Sequence, residues 1–138
     1  MANVQETVLV HSDLKRMYEM WTEFDHYPDF MPHVIEVRHT GETLMKWMME
    51  FGGERHEWEV QVVQMDPERK IILQTTHTTA PIRYVVTFEV NLDGINLTLC
   101  MENAPGSDAE ISARIRESLA NFKAIAEQGP PTRWSMPS

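Results

Sequence analysis

Three side chains in the middle of the chain are of types that transfer protons or donate hydrogen bonds. His56, His77 and Tyr84 lie in stretches where polar and apolar residues alternate. A histidine titrates near neutrality, so it can act as an acid or as a base. A tyrosine hydroxyl can donate a hydrogen bond to a carbonyl or enolate oxygen. We take these residues as the candidate catalytic groups, suited to removing a proton next to a carbonyl.

The same part of the chain also has structural explanations. Each histidine could lie at the rim of the core and bond only to backbone or water. Trp47 and Trp58 could sandwich an aromatic ring, but packing in the core explains them equally well.

Other kinds of catalytic site find little support. The segment His56-Glu57-Trp58-Glu59 is not the H-E-x-x-H motif of zinc enzymes. The spacing of the other histidines does not convincingly match that of metal ligands. These histidines are His11, His26, His33 and His39. No glycine-rich phosphate loop and no Ser-His-Asp arrangement can be argued. We expect neither a metal nor a cofactor.

The elements that must position the candidate residues follow from hydrophobic period and turn residues. Residues 4–10 alternate as a first strand, and Ser12 is expected to cap a short helix. Residues 25–32 contain two prolines and predict a second short helix and a turn. From residue 33 to residue 102 the period is two, and five turn signals predict six further antiparallel strands.

The last element is a long helix. Ser107 and Glu110 form the S-x-x-E pattern of a capping box. Apolar residues then follow at helical spacing, namely Ile111, Ile115, Leu119, Phe122 and Ile125. The pattern predicts a helix over 108–127.

Turn positions predict which side chains share a face of the sheet. Turns at Gly52-Gly53 and Pro67-Glu68 set the pairing of three strands. The predicted pairs are Trp47 with Trp58, Met49 with His56, Trp58 with His77, and Val60 with Thr75. Both turns bring apolar side chains to one face, which a slip of one residue would not do. We expect type I geometry for Pro67-Glu68 and type I′ geometry for Asp93-Gly94.

This apolar face supplies the candidate ligand-binding residues. They are Trp47, Met49, Trp58, Thr75, Val86, Phe88 and Met101 from the strands, and Leu119 and Phe122 from the last helix. A plain core would favour Leu, Ile and Val. Methionine adapts to irregular shapes, and aromatic rings with polar tips suit a wall that binds a small molecule.

The sizes of the elements predict an α+β fold with an internal apolar cavity. Seven strands spaced ~4.8 Å apart make a sheet roughly 30 Å wide. One helix with its side chains is only about 10–12 Å across. The curved antiparallel sheet must therefore curl around the C-terminal helix, and the two short helices must close one end. Large side chains could instead fill the gap and leave a solid core.

Composition limits the possible partners and location. The net charge of −9 disfavours nucleic acid and anionic membranes, and no run of 18 apolar residues occurs. Cys100 is the single cysteine, which together with the absence of a recognisable secretory signal fits a reducing cytoplasm. We expect one domain over 1–128 and a disordered tail over 129–138. Met48 and Ile72, on the outer face of the sheet, could mark a homodimer contact.

Several short segments resemble the helix-grip superfamily, which includes START-related lipid carriers and the polyketide cyclase/dehydrase family. The segments are Tyr27-Pro28-Asp29-Phe30-Met31-Pro32-His33-Val34, Trp58, Thr79-Ala80-Pro81, and Leu119-x-x-Phe122-Lys123. The resemblance extends over residues 4–127. It implies a cavity for a hydrophobic or aromatic, polyketide-like molecule, acid/base cyclisation or dehydration of that molecule, and an acyl carrier protein as a partner.

One departure from the family pattern bears on activity. Aromatase/cyclase members carry an inward arginine four residues after the tryptophan that Trp58 resembles, and this chain has Val62 there. No other arginine or lysine clearly points inward by the predicted register. Either His77 substitutes for the missing cation, or the protein binds without catalysing. The alternatives to a cyclase are a carrier of a lipid, quinone or aromatic compound, and a module that regulates a partner.

Overall fold

The computed structural model describes residues 2–51, 53–76 and 79–128, with the side chain of residue 51 left aside. His77 and the predicted disordered tail over 129–138 lie outside the described residues.

The order of elements is the predicted one: a strand, two short helices, six strands and a long helix. The strands are β1 (Ala2–Val10), β2 (Val34–His39), β3 (Leu44–Phe51), β4 (Glu54–Asp66), β5 (Lys70–Thr75), β6 (Arg83–Asn91) and β7 (Gly94–Ala104). The helices are α1 (Leu14–Thr22), a 3₁₀ helix (Phe24–Asp29) and α2 (Asp108–Ala126).

The strands form one antiparallel sheet in the order β1-β7-β6-β5-β4-β3-β2. The order follows from a meander of hairpins from β2 to β7, after which β1 adds to the free edge of β7. The buried side chains of α2 face the sheet and belong to the same core as the inner residues of the strands. This is the predicted helix-grip fold.

The predicted register of the two central hairpins is confirmed. Trp47 lies opposite Trp58 and Met49 lies opposite His56. Val60 lies opposite Thr75, as expected. The pairing of Trp58 with His77 falls outside the described residues.

Three local predictions, one for a helix cap and two for hairpin turns, were wrong. Asp13, not Ser12, caps α1, because its carboxylate accepts a hydrogen bond from the Arg16 amide at 3.0 Å. Glu68 has a φ of +63°, which a type I turn does not contain at that position. Asn91 pairs with Gly94, so the last hairpin turn contains Leu92 and Asp93 and is not a type I′ turn on Asp93-Gly94.

Helix α2 has the N-terminus that its sequence predicts. The Ser107 hydroxyl accepts from the Glu110 amide at 3.1 Å, and the Glu110 carboxylate accepts from the Ser107 amide at 3.2 Å. The side chains that the helix buries against the sheet are Ile111, Ile115, Ser118, Leu119, Phe122 and Ala126.

Hydrogen bonds join the C-terminal end of α2 to β1 and to the segment that connects β1 with α1. Lys123 donates to the Leu9 carbonyl at 2.6 Å, and Glu127 accepts from the His11 amide at 2.8 Å. Arg16 donates to the Ala126 carbonyl at 2.5 Å. These bonds fix the distance between the helix and the edge of the sheet.

No helix in the described ranges combines the length and the apolar composition needed to cross a membrane.

Candidate functional site

A cluster of aromatic rings occupies one end of the space between the sheet and α2. Trp21, at the end of α1, contacts Tyr27, Phe30 and Phe122 with ring centroids 5.0 to 5.5 Å apart. Tyr27 also contacts Trp47 on β3, with ring centroids 5.6 Å apart. We call these residues (Trp21, Tyr27, Phe30, Trp47 and Phe122) the aromatic plug. The segment of the two short helices, which was expected to close one end of the fold, therefore inserts its own rings into the interior.

The space between the sheet and α2 is close to the alternative of a solid core, because large side chains fill most of it and only a small internal cavity remains. This cavity lies beside the aromatic plug and has a volume of about 10 Å³. Its walls are Met31, His33, Tyr84, Leu99, Met101, Arg114, Ile115 and Ser118. A space of this size holds a single water molecule. A larger guest requires the plug or the cavity walls to move.

Two donors beside this cavity are buried without an acceptor. Tyr84 Oη and Trp47 Nε1 have no hydrogen-bond partner among the described residues. The two rings are in contact, with centroids 5.3 Å apart. Tyr18 Oη and Trp21 Nε1, both on α1, share this property. Unsatisfied buried donors are uncommon in folded proteins, and those of Tyr84 and Trp47 are available to an acceptor that reaches this part of the interior.

Arg114 supplies the inward cation that the sequence argument missed. It projects from α2 and forms part of the cavity wall. The helical spacing in the sequence could have indicated this position. Arg114 follows Ile111 by three residues and precedes Ser118 by four, so the three residues lie on one side of the helix. The prediction that no other arginine or lysine points inward is therefore wrong. Arg114 borders the cavity from the helix and not from β4.

The electrostatics of the cavity follow from burial and from Arg114. Burial lowers the pKa of His33 to about 4, and the Arg114 charge contributes in the same direction. His33 is therefore neutral near pH 7. Burial raises the pKa of the Tyr84 hydroxyl well above its usual value, and the opposing effect of Arg114 is smaller. Tyr84 is consequently a hydrogen-bond donor and not a base near neutral pH.

The sequence-predicted site residues are divided among several places. Tyr84 and Met101 line the interior cavity. Trp58 and Thr75 line an open cleft of about 490 Å³ together with Lys46, Glu57, Glu59, Thr76, Ala80 and Ile82. In this cleft the Thr75 hydroxyl accepts from the Ile82 amide at 2.9 Å.

The remaining predicted ligand-binding residues lie in the core or behind the helix. Leu119 lines a groove of about 630 Å³ between β1 and α2. Phe122 belongs to the aromatic plug, and Phe88 contacts Tyr18 on α1. Met49 and Val86 are buried within the core.

His56 lies on the inner face near the β3–β4 turn, is half-buried, and is not part of the interior cavity wall. His77 lies outside the described residues. Met48 and Ile72, the candidate dimer contact, are half-buried, and the homodimer stays a prediction.

Metal binding finds no support in the described ranges. No group of three or more His, Cys, Asp or Glu side chains in them is placed to hold a metal ion.

The chain has recognisable relatives in sequence and in structure. Residues 10–99 match the family model described as polyketide cyclase / dehydrase and lipid transport. An uncharacterized 17.2 kDa protein of Streptomyces lincolnensis is 25% identical over 137 residues, which cover 93% of this chain and 91% of the relative.

Solved structures share the fold at low sequence identity. A Deinococcus radiodurans protein superposes with a TM-score of 0.79 and 19% identity, over 94% of this chain and 99% of that one. The di-domain ARO/CYC StfQ from the steffimycin biosynthetic pathway gives a TM-score of 0.72 and 17% identity over 91% of this chain. This chain spans half of that two-domain protein.

A START superfamily protein from Mycobacterium smegmatis gives a TM-score of 0.69 and 14% identity, over 91% of this chain and 97% of that one. These structural likenesses show the fold. Since the family model matches well over half of the residues, the chain belongs to the polyketide cyclase / dehydrase and lipid transport family.

Proposed function

We propose that the protein binds a hydrophobic or aromatic, polyketide-like small molecule in the interior between the sheet and α2. The observation that carries this proposal is the pair of buried donors without acceptors, Tyr84 Oη and Trp47 Nε1. Leaving a buried polar group unsatisfied costs about 1–3 kcal/mol, and a carbonyl oxygen of a guest would remove that cost.

The surroundings of the two donors suit an apolar guest. Leu99, Met101 and Ile115 supply apolar walls, and Met31 extends from the segment that carries the plug. Methionine side chains adjust to irregular shapes at small cost. A guest would displace plug side chains and take over their contacts.

Acid/base catalysis is the second candidate function, and the cavity contains the groups that it needs. Proton removal next to a carbonyl requires a base and donors that stabilise the enolate oxygen. His33 is a neutral imidazole on the cavity wall, and Tyr84 and Arg114 are donors on the same wall. In this scheme His33 takes the proton from the carbon, and Tyr84 and Arg114 hold the developing enolate oxygen.

His77 is an alternative base proposed from sequence alone. An acyl carrier protein that delivers the substrate, and a cytoplasmic location, are likewise proposals from the family and from composition. A carrier of a lipid, quinone or aromatic compound would use the same interior without turnover.

Two measurements test the proposal and separate its forms. Native mass spectrometry of the purified protein should show a copurified hydrophobic molecule, and isothermal titration should show that Tyr84→Phe weakens binding of an aromatic ketone. Turnover of a poly-β-ketone substrate that His33→Gln abolishes, with binding retained, would support the enzyme. Ketone binding of equal strength in the wild type and Tyr84→Phe would remove the buried donor from the account.

A further inference from the structure

We propose that Arg114 makes the interior selective for a molecule that carries a carboxylate, with the carboxylate held between Arg114 and Tyr84. This inference rests on the proposed binding of a small molecule in the interior. It goes further because it names the charged group that the guest must present.

The polar groups of the cavity wall are all donors or neutral. Arg114 is a cation, Tyr84 and Ser118 carry hydroxyls, and His33 is neutral near pH 7. No Asp or Glu belongs to the described wall. A wall of this composition is complementary to a group that only accepts hydrogen bonds, and an ionised carboxylate is such a group.

The carboxylate of Glu110 on the same helix does not remove this complementarity. Glu110, one turn before Arg114, is exposed and accepts hydrogen bonds from the Ser107 amide and hydroxyl. Because the Glu110 carboxylate is exposed, water screens its attraction to the Arg114 charge. In the interior, the same guanidinium acts in a medium of lower dielectric constant, where its attraction to an anion is stronger.

The apolar walls fix the orientation of the guest. Ile115 adjoins Arg114 on α2, and Leu99 and Met101 face it from β7. The carboxylate would therefore lie at the Arg114 and Tyr84 end, and the apolar body would extend over β7 and into the volume of the aromatic plug.

The test compares two probes of nearly equal shape, naphthoate and the neutral naphthamide, by isothermal titration. The wild type should prefer naphthoate by about tenfold or more, the range expected for one charge-assisted hydrogen-bonded contact. Arg114→Gln should bind the two probes with nearly equal affinity, because the loss of the cation weakens naphthoate binding more than naphthamide binding. Arg116→Gln, which removes the same charge from the exposed side of α2, should behave as the wild type.

The outcomes separate this inference from the proposed function. Equal affinities in the wild type, or a naphthoate preference that survives Arg114→Gln, would overturn the carboxylate site while interior binding stands. Failure of both probes to bind the wild type would overturn both proposals. The wild-type comparison needs no variant, and a thermal unfolding curve establishes that Arg114→Gln is folded.

Discussion

The rings of Trp47 and Tyr84 lie 5.3 Å apart with their planes inclined by 52°, and each ring buries a donor that has no acceptor in the described structure. Tyr27, a second buried tyrosine, contacts the same tryptophan but donates to the Trp21 carbonyl at 2.6 Å. The core thus holds one satisfied and one unsatisfied tyrosine hydroxyl around Trp47, and this difference can be measured.

Tyr84→Phe should leave the free energy of unfolding unchanged or raise it by up to about 1 kcal/mol, because the deleted hydroxyl has no partner. Tyr27→Phe is the matched control. It should lower the free energy of unfolding by about 1–3 kcal/mol, since it leaves the buried Trp21 carbonyl without a donor. Urea denaturation of both variants checks this. Equal destabilisation by the two substitutions would mean that Tyr84 has a partner.

The His33 pKa predicts a dependence of stability on pH. The pKa of the folded state is lowered from 6.5 to about 4. Between these values the unfolded chain binds more protons than the folded one, so acidification destabilises the fold. The contribution of neutral His33 to the free energy of unfolding is complete above pH 6.5. About 3 kcal/mol of this free energy is lost by pH 4.

His33→Gln isolates this contribution from the titration of carboxylates. The variant should lose less stability than the wild type between neutral pH and pH 4, by about 3 kcal/mol in urea denaturation. Parallel curves of unfolding free energy against pH would show that His33 stays accessible to protons in the folded state.

Strand pairing and the helix cap could be predicted from the sequence, whereas the interior site could not. The pairs Trp47–Trp58 and Met49–His56 were predictable, because turn position and alternation must agree when one face is buried. The capping box of Ser107 and Glu110 was predictable for the same local reason.

The interior was harder to predict because it depends on contacts between distant segments. Strand and helix widths gave the space between the sheet and α2, but not the rings from residues 21–30 that fill it. Arg114 was missed because a charged residue at the border of an apolar helical stripe has the same pattern whether it points to solvent or to a cavity. Only the packing of α2 against β1 and β7 decides between these.

Relocating the cation should show whether its charge or its helical position matters. Val62 lies opposite Leu73, which lies opposite Tyr84, so an arginine at 62 would reach across one strand toward the Tyr84 hydroxyl. In the Arg114→Gln background, Val62→Arg should restore most of the naphthoate preference in isothermal titration. Gln61→Arg, on the outer face, should restore none. Equal behaviour of the two would contradict a site on the inner face.

Access to the interior should depend on the bond that holds the plug to α2. Asn121 donates to the Phe30 carbonyl at 3.2 Å, and Phe30 packs on Trp21 and Phe122. Asn121→Ala should raise the association rate of naphthoate several-fold in stopped-flow fluorescence, with a smaller change in affinity. Asn91→Ala, in the far hairpin, is the control. An unchanged association rate would place the route of access elsewhere.

A guest in the interior should meet the buried donors of Trp47 and Tyr84. The most direct measurement is the ¹H–¹⁵N spectrum of the tryptophan indoles during titration with naphthoate, with Trp47 and Trp58 assigned from their Phe variants. We predict that the Trp47 indole proton shifts downfield in step with binding, as it gains an acceptor, while Trp58 in the open cleft changes little. Saturable binding that moves Trp58 and leaves Trp47 unchanged would contradict the interior site.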